Sequence, residues 1–186
     1  MSDNSVVTIT RAWVDSVVVG LNLCPFARRE IATGRVRFAA TAANSEESLL
    51  EELQAELELL DKDNSVETTL LIHPNTLQKF SDYNQFLERA EELLRRQGFE
   101  GTYQIASFHP DYQFSQTGED DAENYTNRSP FPMLHIIKEE SIRAALDNYP
   151  DSGEIPERNI RLLQNMGYAK VQALLQSCFE LKKGSE

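Results

Sequence analysis

Three histidines, one aspartate, a short arginine block and a cysteine carry most of the chemistry open to this chain, and much of it falls between Gln104 and His135. His109 and Asp111 are separated only by Pro110. An imidazole with a carboxylate two residues on suits a general base with its orienting group, or two metal ligands. The same spacing also suits a histidine that bonds backbone at a strand end and an aspartate that makes the turn after a proline. Asn127-Arg128-Ser129 places an amide, a guanidinium fork and a hydroxyl in three consecutive residues. That set fits a carboxylate or phosphate group on a small ligand. The alternative is an arginine that pairs with Glu119, Asp120, Asp121 or Glu123 and pins its own loop. Tyr112, with Phe108, Phe114 and Phe131, supplies the aromatic wall of a substrate pocket in this region.

Cys24 precedes Pro25, and Arg28 and Arg29 follow closely. A new helical turn opening at the proline would leave the sulfur near free backbone N–H groups and positive charge, a setting that favours thiolate and a nucleophilic role. Against this stands the ordinary fate of a free cysteine, burial as a small hydrophobe, here between Leu23 and Phe26. His73, His109 and His135 could together donate nitrogen to zinc or iron, although their separation has no metal-ligand spacing. No cofactor is assigned. Cys178, beside Leu174, Leu175 and Phe179, belongs to the core.

These groups need a scaffold, and the hydrophobic pattern supplies one. Thr8 or Thr10 caps a first helix to about Leu21, broken by Asn22 and Leu23; Arg35 to Thr41 alternates as a strand; Ser45 opens a capping signature for a helix to about Asp61. Val66 to Ile72 is apolar and β-branched and reads as a buried strand, stopped by His73-Pro74. A second long helix, marked by Leu77, Phe80, Leu87, Ala90 and Leu94, ends before Gly98, which suits a left-handed cap. Strands follow at Tyr103–Phe108 and from Pro132 to Ile137, then helices from Glu139 to about Asn148, Pro156 to Met166 and Tyr168 to Leu181.

Single helices between strands imply right-handed parallel crossovers. The expected fold is therefore α/β, with α+β as the alternative. Strands one to three of a small mixed four-stranded sheet run parallel with helical crossovers, the fourth runs antiparallel beside the third across the long loop, and helices cover the sheet. Residues 1–186 form one domain, with 150–186 as a C-terminal helical extension packed on it. In such sheets ligands bind outside the carboxyl ends of the parallel strands, where His73 and His109 fall. The loop between the last two strands is long and aperiodic, and loops of that length in a compact domain commonly carry function.

The net charge of −12 argues against nucleic acid, since affinity for that polyanion comes from Lys and Arg neutralising phosphates. The start Met1-Ser-Asp-Asn-Ser has no signal-peptide pattern, no apolar run is long enough to cross a bilayer, and two distant cysteines make no disulfide framework. A cytoplasmic protein is expected.

Leu23-Cys24-Pro25-Phe26-Ala27, the run Ala106 to Phe114 and the run Asn127 to His135 together resemble the DUF1415 family, a domain family of unknown function, over most of the chain. The resemblance implies a family label but no reaction, cofactor or substrate. The leading functional expectation is an enzyme, a hydrolase or transferase, acting on an anionic small molecule: His109 and Asp111 as acid–base pair, Arg128, Asn127, Ser129 and Tyr112 holding the substrate, and Cys24 as nucleophile. The rival is a metabolite-, protein- or metal-binding module without catalysis.

Overall fold

A computed structural model describes residues 2–147, 149 and 152–180 of the chain. Its sheet is built from β1 (Val36–Ala40), β2 (Thr68–Ile72), β3 (Tyr103–Phe108) and β4 (Met133–Lys138), in the spatial order β1-β2-β4-β3. β1 and β2 pair in parallel, joined by the crossover helix α3 (Glu46–Lys62), as their spacing requires. β3 and β4 pair antiparallel as expected, but the expected parallel pairing of β3 with β2 does not occur. β4 lies between β2 and β3 and is antiparallel to both, so β3 never pairs with β2.

Burial follows this order. Every residue of β2 is buried, and Met133, Leu134 and Ile136 of β4 are wholly so, whereas Arg37 of β1 and Gln104 of β3 are exposed. The exposed polar side chains of β1 and β3 sit on the edges, where side chains and unpaired backbone meet water.

Alternation divides the core into two layers. On one face, Leu71, Leu134 and Ile136 pack beneath α3 and α4 (Phe80–Arg96), with Leu49, Leu53, Leu57, Tyr83 and Phe86 facing inward. On the other, Leu70, Ile72 and Met133 meet α1 (Asp3–Trp13) through Val6, Ile9 and Trp13, and the same cluster takes in Leu163 of α6 (Ile155–Met166) with Val171, Leu175 and Cys178 of α7 (Tyr168–Glu180). Ser45 caps α3 as expected: its hydroxyl accepts from the Ser48 amide at 3.1 Å, and Ser48 returns the favour to the Ser45 amide at 3.2 Å. Gly98 ends α4 at φ 76°, the left-handed conformation that costs a Cβ-bearing residue strain. The expected ends of the last helices at Asn148 and Leu181 lie outside the described residues.

The first helix begins five or more residues earlier than Thr8, at Asp3, and widens into a π-helical turn over Val14–Val19. The wider hydrogen-bonding pattern persists at its end, where the Leu23 amide donates to the Val18 carbonyl at 2.9 Å. Asn22, at φ 54°, then turns the chain. This turn brings backbone unusually close to Gly20, where an added Cβ would lie 2.2 Å from the Ser16 carbonyl oxygen. Gly20→Ala is expected to destabilise the fold by roughly 1–3 kcal/mol through overpacking, despite alanine's better helix propensity. Denaturant unfolding measures this, and an unchanged midpoint would show that the turn yields freely.

The short helix α2 (Ala27–Ala32) follows, and α5 (Glu139–Asp147) comes directly after β4. Between them these two short helices border the half of the sheet that α1 leaves uncovered.

Candidate functional site

The aperiodic stretch from His109 to Pro132 is ordered by its own polar residues. His109 is fully buried; its Nε2 lies 3.1 Å from the Leu77 carbonyl and its Nδ1 accepts the Asp111 amide at 3.0 Å. The amide can only donate, so Nδ1 carries the lone pair and Nε2 the proton. Both ring nitrogens are thereby held by backbone, and burial lowers the imidazole pKa. Asp111 is exposed, and its main-chain N–H rather than its carboxylate bonds the imidazole. Pro110 tightens the turn that makes this contact.

Arg128 is 6 % exposed and donates from Nε to the Tyr112 carbonyl at 3.0 Å and from Nη2 to the Glu119 carbonyl at 2.8 Å, with Tyr125 beneath its guanidinium at 5.0 Å. It pins the loop, as one of the two sequence readings held, but through carbonyls rather than through the neighbouring acids. Asn127 Nδ2 donates to the Ser107 carbonyl and Ser129 Oγ to the Phe131 carbonyl, while the His109 amide donates to the Asn127 carbonyl. Tyr112 stacks obliquely between Phe80 and Phe114 at 5.0 and 4.9 Å. The residue that sequence reading missed is Asn124, fully buried: its Oδ1 accepts from the Phe114 amide and Thr117 Oγ1, and its Nδ2 donates to the Gly118 carbonyl. An asparagine within a polar run has no sequence signal that separates a latch from a solvated residue.

The three histidines do not converge. His73 and His109 flank Tyr83 of α4, with ring centroids 5.9 and 5.1 Å from it, and Tyr83 itself donates to the Met133 carbonyl and accepts the Phe108 amide. His73 bonds the Thr76 carbonyl through Nδ1, leaves Nε2 buried without a partner, and is pushed by burial to a pKa of about 4. His135 stands on the opposite sheet face, against Phe108. Among the described residues no group of three or more His, Cys, Asp and Glu side chains could hold a metal ion.

That opposite face holds a cavity. It measures about 360 Å³, within the size range of small-molecule sites, and its wall is mostly apolar. Trp13, Val18 and Ile31 approach it from the helices, Leu70 and Phe108 from the sheet, and Ile142 from α5. It opens over the sheet face, toward the amino-terminal ends of β1 and β2, rather than at their carboxyl ends, where the sequence had placed the site. The loop between β3 and β4 spends most of its polar groups on its own hydrogen bonds, and its residues Tyr112 to Thr117 line, with Phe80 and Asn84, a second and more polar cavity of about 530 Å³.

Of the residues singled out from the sequence, this cavity brings together Cys24, Phe108 and His135. Cys24 is half-buried, and Arg28 and Arg29 are exposed. His135 Nε2 lies 2.7 Å from Thr68 Oγ1, whose own hydroxyl donates to the Ile136 carbonyl at 2.6 Å. With its proton so committed, Thr68 accepts from Nε2–H, and the His135 Nδ1 lone pair is left without a hydrogen-bond partner. Burial holds the pKa of His135 at about 4, so the ring is neutral at neutral pH. Thr68 was not recognised from the sequence because its proximity to His135 depends on the β2–β4 pairing.

Among the described residues no helix is long and apolar enough to cross a membrane. A family model described as "Protein of unknown function (DUF1415)" matches residues 5–173. No curated protein and no solved structure matches the chain.

Proposed function

The chain belongs to the DUF1415 family of proteins of unknown function, and from that premise, which brings no activity with it, we propose that it binds a small, mainly apolar molecule in the cavity over the sheet. The observation that carries this reading is an apolar chamber containing a neutral histidine with one nitrogen anchored and the other available. Burying apolar ligand surface supplies affinity at about 25 cal/mol per Å², and a few fixed polar atoms supply orientation. This favours the metabolite-binding reading over an enzyme built on His109, Asp111 and Arg128, whose hydrogen-bonding groups are largely spent on backbone.

One catalytic version keeps support. Cys24 and His135 line the same chamber, so a thiol and an imidazole lone pair are available to one ligand. A thiol activated by a neighbouring base is the ordinary arrangement for acyl or alkyl transfer. The hydrolase or transferase reading therefore rests on this pair.

Trp13 is the sole tryptophan and walls the cavity, so its emission reports occupancy. Titration with 1-octanol is expected to change that emission saturably and to slow alkylation of Cys24 by iodoacetamide, while buried Cys178 stays unmodified. Ala106→Leu, which fills the chamber from β3, is expected to weaken binding at least about tenfold while the protein remains folded. Emission unchanged by any apolar probe, or unchanged affinity in the filled variant, would sink the reading.

A further inference from the structure

Granting the cavity reading, we propose that the occupant's polar end is a cation, a protonated primary amine on an apolar body, and that Glu30 receives it. The cavity has a definite electrical sense. Among the described residues no lysine or arginine lines it, whereas two carboxylates, Glu30 from α2 and Glu67 just before β2, do.

The two acids are not equivalent. Arg35 bonds Glu67 Oε2, and Ser141 of α5 donates to Glu67 Oε1, so both oxygens of that carboxylate are served. Glu30 has only the same guanidinium for company, with Arg35 Nη1 3.9 Å from Oε2, too long for a hydrogen bond. Glu30 Oε2 is shut off from solvent with no donor, and neither side-chain oxygen accepts a hydrogen bond from a described residue. Two carboxylates sharing one guanidinium leave a net charge of −1 at the chamber wall. An ionised oxygen out of water without a donor is an uncommon state, because its lost hydration is not replaced.

An incoming ammonium corrects both faults at once. It supplies an N–H donor to the accessible part of the Glu30 carboxylate and brings the local charge to neutral, while its hydrocarbon lies against Val18, Ile31, Leu70, Phe108 and Ile142. His135 Nδ1, on the same wall, is a further acceptor for a donor-bearing ligand, while Trp13 Nε1 is a buried donor without a partner there. A carboxylate or phosphate would meet Glu30 with like charge and find no cation free to pair with it. The anionic ligand expected from Arg128 is therefore a poor match for this chamber.

The test compares octylamine, 1-octanol and octanoate by Trp13 emission on the full chain at neutral pH, where the amine is protonated. Octylamine is expected to bind about tenfold or more tightly than octanol, with octanoate weakest. In Glu30→Gln the advantage of amine over alcohol is expected to fall to about threefold or less. Ala106→Leu is expected to abolish amine binding along with alcohol binding, which separates the chamber from adsorption of cations on an acidic surface. Octanol equal to octylamine, octanoate tightest, or amine binding retained in Ala106→Leu would each overturn the assignment of a cationic ligand. Silence of Trp13 toward all three probes would overturn the cavity reading itself.

Discussion

Acidification from about pH 7 to about pH 4.5 is expected to cost the folded protein roughly 5 kcal/mol, most of it before the carboxylates titrate. Burial holds His73 and His135 at pKa values of about 4 and lowers His109 as well, against an ordinary value of 6.5. In the unfolded chain all three imidazoles take up a proton near 6.5, so below that pH the unfolded state binds more protons than the folded one. Stability is then fully present above 6.5 and is lost as pH falls toward 4. The depressed carboxylates act later. Glu47 is lowered chiefly by a bond from its own amide, Glu58 by Gln54 and Asp63 by Ser65, and these groups lose their contribution only below their unfolded values of 4.5, 4.5 and 3.8.

Urea unfolding followed by Trp13 emission at a series of pH values measures the slope between 6.5 and 4.5. His73→Phe removes one titrating group and the unpartnered Nε2 while preserving a ring against Tyr83, so the slope is expected to shrink. A flat stability profile across that window would mean that the buried rings find compensating partners when protonated.

Arg128→Ala is expected to lower stability by about 3 kcal/mol and to open the segment from Tyr112 to Thr126 to protease. The guanidinium makes two charge-assisted bonds from 2.8 to 3.0 Å to carbonyls seven residues apart in sequence, and packs on Tyr125. Its removal leaves the Tyr112 and Glu119 carbonyls without that donor and a void where a long side chain lay. Arg128→Lys is expected to recover little, because a single ammonium cannot reproduce a rigid fork that reaches two separate acceptors. Thermal unfolding and limited proteolysis check both variants. An Arg128→Ala protein as stable and as protease-resistant as the parent would restore the anion-binding role to this arginine.

The elements were legible because their signals are local. Leu49, Leu53, Leu57 and Leu60 recur at helical spacing, Ser45 and Ser48 form their cap within one turn, and Gly98 ends α4 where a left-handed residue is needed. The parallel β1–β2 pair follows from the helix between them, and β3–β4 from the loop that returns the chain. The π-helical turn at Val14–Val19 was not legible, since a run of valines suits either helical form and only packing selects the wider one.

The site was legible in its residues but not in its assembly. From sequence alone, His109, Asp111, Asn127, Arg128 and Ser129 could be recognised as a special cluster, and local propensities and periodicity determined the helices, the strands and the long loop. Whether a polar group in that loop served a ligand or the loop itself turned on which carbonyls and amides lay within reach. Only the folded chain decided that, by inserting β4 beside β2, placing Thr68 against His135 and bringing α2 and α5 to border the same cavity. The physical reason is range: hydrophobic period and capping act over a few residues, while hydrogen-bond satisfaction and cavity shape are settled between segments as far apart as Glu30, Thr68 and His135.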